Sequence, residues 1–131
     1  MIGLDTNILL RLLVNDDREQ VEAVHDFLTR YGNKPDTYYI NLIVLAEFAW
    51  VVQSRYKRGR SEIVGAVLSL LNAPAIRIES RDTVAAAVSL YQNAAADFSD
   101  CLIAASNLAA GCDHTATFDF RAQAIEGMRS P

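Results

Sequence analysis

Strand-length apolar runs alternate with helix-length segments along the whole chain, and that order leaves few folds open. Ile2–Leu4, Tyr38–Ile40, Ala75–Ile78 and His114–Phe118 read as strands. The segments Ile8–Val14, Arg18–Tyr31, Leu42–Tyr56, Thr83–Asn93 and Phe98–Ala110 read as helices, as does a segment opened by Ser61 and carrying Ile63, Val67, Leu68 and Leu71. In Arg18–Tyr31, Val21, Val24, Phe27 and Leu28 fall on one stripe, as a helix with one buried face requires. Gly32-Asn33-Lys34-Pro35, Gly59, Asn72-Ala73-Pro74 and Gly111 supply the stops between elements. Strands separated by crossover helices form a mainly parallel sheet with helices packed on its faces. The predicted fold is therefore α/β, a three-layer α/β/α sandwich.

The chain has 131 residues, 51% of them hydrophobic, enough to bury a core without disulfides or metals as staples. No linker or repeat divides it, so residues 1–131 are read as a single domain. No apolar stretch approaches the ~20 residues of a membrane span, and no membrane partner is expected. Met1 leads directly into a strand rather than a signal sequence, so a cytoplasmic protein is expected. Cys101 and Cys112 lack metal or redox spacing and read as small core residues. His25 and His114 are isolated and read as ordinary surface or strand histidines.

Four carboxylates stand out by position. Asp5 ends the first apolar run and Asp119 follows Thr115-Ala116-Thr117-Phe118, so both are expected at the carboxyl ends of strands. In parallel α/β sheets the ligand crevice lies there. Glu47 is flanked at helical spacing by Ile43, Val44, Trp50 and Val51, which predicts that it points inward. Asp100 is placed similarly above Ile103 and Ala104. A buried carboxylate is stable only when paired, protonated or metal-bound. Structural roles compete with these readings. Asp5, Thr6 and Asn7 are all helix-capping residues, Asp97-Phe98-Ser99-Asp100 resembles a capping box, and Asp119 can simply open a turn. Of the Asp97 and Asp100 pair, Asp97 is expected to cap the helix and Asp100 to act as a ligand.

Asp5-Thr6-Asn7 at the first strand tip, Glu47 in a mid-chain helix, the block Asp97 to Ala105 and Thr117-Phe118-Asp119 together resemble the PIN domain, specifically its VapC toxin branch. The resemblance spans nearly the whole chain. It implies an α/β/α sandwich, Mg²⁺- or Mn²⁺-dependent ribonuclease activity on RNA, and a small antitoxin protein as partner. Asp5, Glu47, Asp100 and Asp119 match the family's acidic quartet. Asp97 matches an accessory acidic position, and Thr6, Asn7 and Thr117 match polar residues lining the site. Phe120 departs from the basic residue often found directly after the last Asp.

The residue types suit that chemistry independently of the family. Mg²⁺ takes oxygen ligands and keeps several waters, so a few carboxylates suffice where zinc would need His or Cys. One or two ions could activate a water and stabilise the leaving oxygen. Asp5 and Asp100 are read as central ligands, with Glu47 and Asp119 completing the shell and Thr117 and Asn7 as supporting donors. A net charge of −4 is unusual for a nucleic-acid binder. Bound cations would offset the clustered carboxylates, and Arg55, Lys57, Arg58 and Arg60 could follow a phosphate backbone. The bland alternative for that basic run is a solvated helix end. The apolar residues Val44, Phe48, Trp50, Val51 and Val52 spread around their helix, so some are expected beneath a partner, most simply in a homodimer. The rival functions are a non-catalytic interaction module of the same fold and a receiver-like or phosphatase-like phosphoryl-transfer domain. The second lacks its pattern here, since Asn7 stands where such a phosphatase needs Asp.

Overall fold

A computed structural model describes all 131 residues. Its elements run β1 (Ile2–Gly3), α1 (Thr6–Leu13), α2 (Arg18–Tyr31), β2 (Tyr38–Ile40), α3 (Leu42–Ser54), α4 (Arg60–Asn72), β3 (Ile76–Ile78), α5 (Arg81–Asn93), α6 (Phe98–Ala109), β4 (Thr115–Ala116) and β5 (Met128–Arg129). Six helices and exclusively parallel strand pairs make this an α/β protein, as the alternating sequence pattern predicts. The chain divides into two compact units, Met1–Glu79 and Ser80–Pro131.

In the first unit β1, β2 and β3 form a parallel sheet in that order, with Ile2 opposite Tyr38 and Tyr38 opposite Ile76. Parallel neighbours need crossovers, which α1 with α2 and α3 with α4 provide. Ile40 of the central strand is fully buried, as are Leu45 and Val52 of α3 and Val67 of α4. Burial of each such side chain contributes roughly 1.5–3 kcal/mol to the unit's stability. Tyr38 reaches through the layer and donates its hydroxyl to the Gly32 carbonyl at 2.8 Å, where α2 ends. Gly32 has φ 78°, a left-handed turn that glycine makes without a Cβ clash.

The second unit packs α5 against α6 through Val84, Val88, Phe98 and Leu102, with Tyr91 and Phe98 edge-to-face at 5.5 Å. The expected fourth strand is present but short, and it pairs with β5 rather than extending the first sheet. Two residues, Met128 and Arg129, carry no strand signature of their own. β5 exists because Ile125 and Met128 are buried and the intervening turn brings them back beside β4.

Several boundaries move for local reasons. α1 starts at Thr6, two residues before the expected Ile8, because Asp5 caps it. α4 starts after Gly59, so Ser61 lies inside the helix and caps nothing. α5 begins at Arg81 behind Ser80, whose φ of 49° turns the chain sharply. Cys101 is buried as expected, whereas Cys112 is exposed, since the helix has already ended when the chain reaches it. Both are free thiols, and both histidines are exposed.

Candidate active site

In the first unit Asp5 follows β1 and turns the chain into α1. Its backbone is extended, with φ −92° and ψ 176°, and Oδ1 accepts the Ile8 amide at 3.2 Å. That satisfies one of the orphan donors at the helix start. The capping reading and the strand-tip reading therefore hold together: Asp5 caps a helix and is exposed at the strand end. Thr6 is the buried polar residue of this corner, and Asn7 is exposed.

Glu47 overturns the expectation of an inward carboxylate. It is exposed on α3, and two of the apolar neighbours that suggested burial are exposed as well, Ile43 by 80% and Trp50 by 58%. α3 buries Leu45, Phe48, Ala49 and Val52 instead. A helix that is apolar nearly all round carries too little periodic signal to tell its buried face from its outer one. Glu47 thus lies on a surface stripe flanked by hydrophobic side chains.

In the second unit Asp97, Asp100 and Asp119 interact. Asp100 is half-buried in the first turn of α6, and its carboxyl titrates above the ordinary range, first through desolvation, then through the negative charges of Asp119 and Asp97. Ile103, expected on an inward stripe with Ala104, is 48% exposed, while Ala104 is buried. α6 is therefore rotated relative to that expectation, which keeps Asp100 partly open to solvent. Asp97 occupies the position preceding the helix, but its side chain makes no capping bond. The expected division of labour, Asp97 as cap and Asp100 as ligand, fails in its first half.

Asp119 is exposed beyond β4 and organises the following turn. Its Oδ1 accepts the amides of Arg121 at 2.9 Å and Ala122 at 3.3 Å, and its own amide donates to Thr117 Oγ1 at 3.0 Å. Thr117 also accepts the Gln123 side chain on its carbonyl at 3.1 Å. The loop's geometry is fixed by these bonds, yet Phe118 and Phe120 on either side of Asp119 are 90% and 86% exposed.

Arg55, Lys57, Arg58 and Arg60 are all exposed around the α3–α4 connection. Arg55 follows the end of α3, where a cation complements the helix dipole, but Arg60 opens α4, where it does not. Arg58 pairs with Glu62 at 2.9 Å. The solvated-helix-end reading therefore accounts for only part of the run.

A network beside Asp5 has no signature in the sequence. The Arg11 guanidinium contacts Asp16 Oδ1 and donates to the Tyr56 hydroxyl at 3.2 Å, and that hydroxyl donates to Asp16 Oδ2 at 2.9 Å. The Tyr56 hydroxyl, then the Arg11 charge against an opposing desolvation, hold the Asp16 carboxyl below its usual range. Tyr56 lies 45 residues from Arg11 in sequence, which is why no local pattern marks the pair.

The donors on these elements are carboxylate and neutral oxygens, the set a hard divalent cation prefers. No three His, Cys, Asp or Glu side chains are grouped to hold a metal ion. The donor chemistry suits such an ion: Asp100 is held above the ordinary carboxylate range first by desolvation and then by the charges of Asp119 and Asp97, and a cation there would offset the charge repulsion. Comparison with known families decides the wider assignment, for the PIN domain profile matches residues 2–127. This chain belongs to the PIN domain family. The match runs through both units and includes every carboxylate named above. No individually curated protein matches the chain. PIN domains are generally metal-dependent nucleases, which places this one in a hydrolase family that uses divalent ions. No helix is long and apolar enough to cross a membrane.

Proposed function

We propose that this PIN domain is a divalent-metal-dependent endoribonuclease acting as the toxin of a toxin–antitoxin pair. The observation that carries the chemistry is the interaction of Asp97, Asp100 and Asp119 inside a PIN domain, with Asp100 already perturbed toward the neutral form. Asp5, Glu47, Asp100 and Asp119 are the proposed ligands of Mg²⁺ or Mn²⁺, with Thr6, Asn7, Asp97 and Thr117 in support. When bound, such an ion supplies a water of lowered pKa and stabilises charge on the leaving oxygen. The chain's own contribution is positional. Asp5 is fixed by its helix cap and Asp119 by its turn, so both carboxylates are held without further ordering on binding. Asp100 is partly desolvated and stands beside the charges of Asp119 and Asp97, which hold its carboxyl above the ordinary range.

The RNA substrate, the antitoxin partner, a homodimer and a cytoplasmic setting belong to the same proposal. The VapC-like blocks in the sequence support the toxin assignment, and the exposed Ile43 and Trp50 support a surface covered by a second copy. The test is cleavage of single-stranded and stem-loop RNA by protein free of contaminating nuclease. EDTA should abolish cleavage and Mg²⁺ or Mn²⁺ should restore it. Undiminished cleavage in EDTA refutes the metal assignment, and no cleavage of any RNA with metal present favours a non-catalytic interaction module.

A further inference from the structure

Two adjoining clefts open beside Asp5, both within the first unit. One, of about 320 Å³, is lined by Asp5, Ile8, Ala23, Val24 and Phe27 and is mostly apolar. The other, of about 520 Å³, is walled by Asp16, Asp17, Arg55 and Tyr56 and is mostly polar. Asn7, Arg11 and Gln20 line both and form the boundary. Each volume lies in the ~300–1,000 Å³ range of small-ligand sites.

We infer that these clefts form a subsite for one unpaired nucleotide of the substrate strand, the base in the apolar compartment and the sugar-phosphate in the polar one. The inference rests on the nuclease reading above and deepens it. The apolar compartment offers a ring-sized slot beside Phe27, whose own ring is held by Tyr31 at 5.0 Å and Tyr38 at 5.9 Å. Unpaired bases are bound in such slots and read along their edges by hydrogen bonds. The boundary supplies that second element, since Asn7 and Gln20 each carry an amide with both donor and acceptor, the pairing adenine takes best. Arg55, exposed on the polar side, is free of the Arg11 network and suits a phosphate.

The wall is built rather than incidental. The Arg11 side chain is only 9% exposed, clamped between Asp16 and Tyr56, yet its Nε is buried without a hydrogen-bond partner. Tyr56 meanwhile anchors the α3–α4 connection, in which Lys57 adopts a left-handed φ of 55°. That conformation disfavours side chains, and the tyrosine anchor keeps Arg55 at the cleft. A base held beside Asp5 would set which phosphate lies next to that carboxylate.

Titration of adenosine 5′-monophosphate, ribose 5-phosphate and inorganic phosphate into the full chain in EDTA, followed by side-chain amide NMR, tests this without catalysis. The Asn7 and Gln20 amides should shift saturably with the nucleotide and far less with the two base-free probes. In metal-dependent cleavage of a short single-stranded RNA, Gln20→Ala and Arg55→Ala should each raise KM about five- to tenfold with kcat unchanged, as loss of one binding contact predicts. Both positions are exposed, and unchanged melting confirms intact folding. Saturable nucleotide shifts without RNA cleavage by any preparation would overturn the nuclease reading and keep the nucleotide site. Normal cleavage with unaltered KM in both variants, or equal shifts with ribose 5-phosphate, overturns the subsite and leaves the nuclease reading standing.

Discussion

Asp100→Asn separates the electrostatic role of this carboxylate from any structural one. Asp97 and Asp100 lie three residues apart at the start of α6, and a like-charge pair at that spacing destabilises a helix by about 0.2–0.5 kcal/mol. Asp119 adds a second repulsion of the same order, and partial burial of Asp100 weakens its screening by solvent. Removing the charge should therefore stabilise metal-free protein by about 0.5–1 kcal/mol, a melting increase of roughly 2–5 °C for a domain of this size. The pH dependence follows from the direction of the shift. The folded state holds the Asp100 proton more tightly than the unfolded state, so ionisation opposes folding. That penalty is fully present above the raised folded pKa and disappears below the unfolded value of about 3.9. The advantage of Asp100→Asn should thus be largest near pH 7 and clearly smaller at pH 4, disappearing only below the unfolded value. Saturating Mn²⁺ should reverse the order, stabilising wild type by about 2.7 kcal/mol at a hundredfold excess over Kd and the variant by much less. Calorimetric melts at pH 7 and pH 4, with and without Mn²⁺, measure each quantity. A metal-free variant that melts below wild type at pH 7, or one with the full Mn²⁺ response, refutes the reasoning.

Asp5→Ala should lower stability by about 1 kcal/mol through loss of the Ile8 cap, whereas Asp5→Asn should keep the cap to within a few tenths, and both should lose cleavage. Urea melts paired with cleavage assays check this, and full activity in Asp5→Asn would remove the carboxylate from the metal site. Light scattering across a concentration series should show a dimer that Ile43→Ser with Trp50→Ser converts to monomer; a strict monomer in the parent protein at every concentration defeats the dimer proposal.

The order of strands and helices was legible in the sequence because hydrophobic period and turn residues are local properties. The parallel α/β class followed from them, and the PIN domain match over residues 2–127 agrees with the family resemblance of the sequence blocks. The orientation of particular side chains was not legible. Glu47 and Ile103 sit on helices with apolar residues on several faces, and only packing chooses which face is buried. β5 was invisible because two residues make no pattern, and its pairing depends on the turn that Asp119 closes. Asp97 has a capping residue's identity and position without the capping bond, since propensity states what a side chain can do while its neighbours decide what it does. The Arg11, Asp16 and Tyr56 network joins residues up to 45 positions apart, so it exists only once β2 has been threaded beside β1 and α3 laid against α1. Local sequence determines which elements form and which chemistry they carry; long-range packing alone decides which of those groups meet.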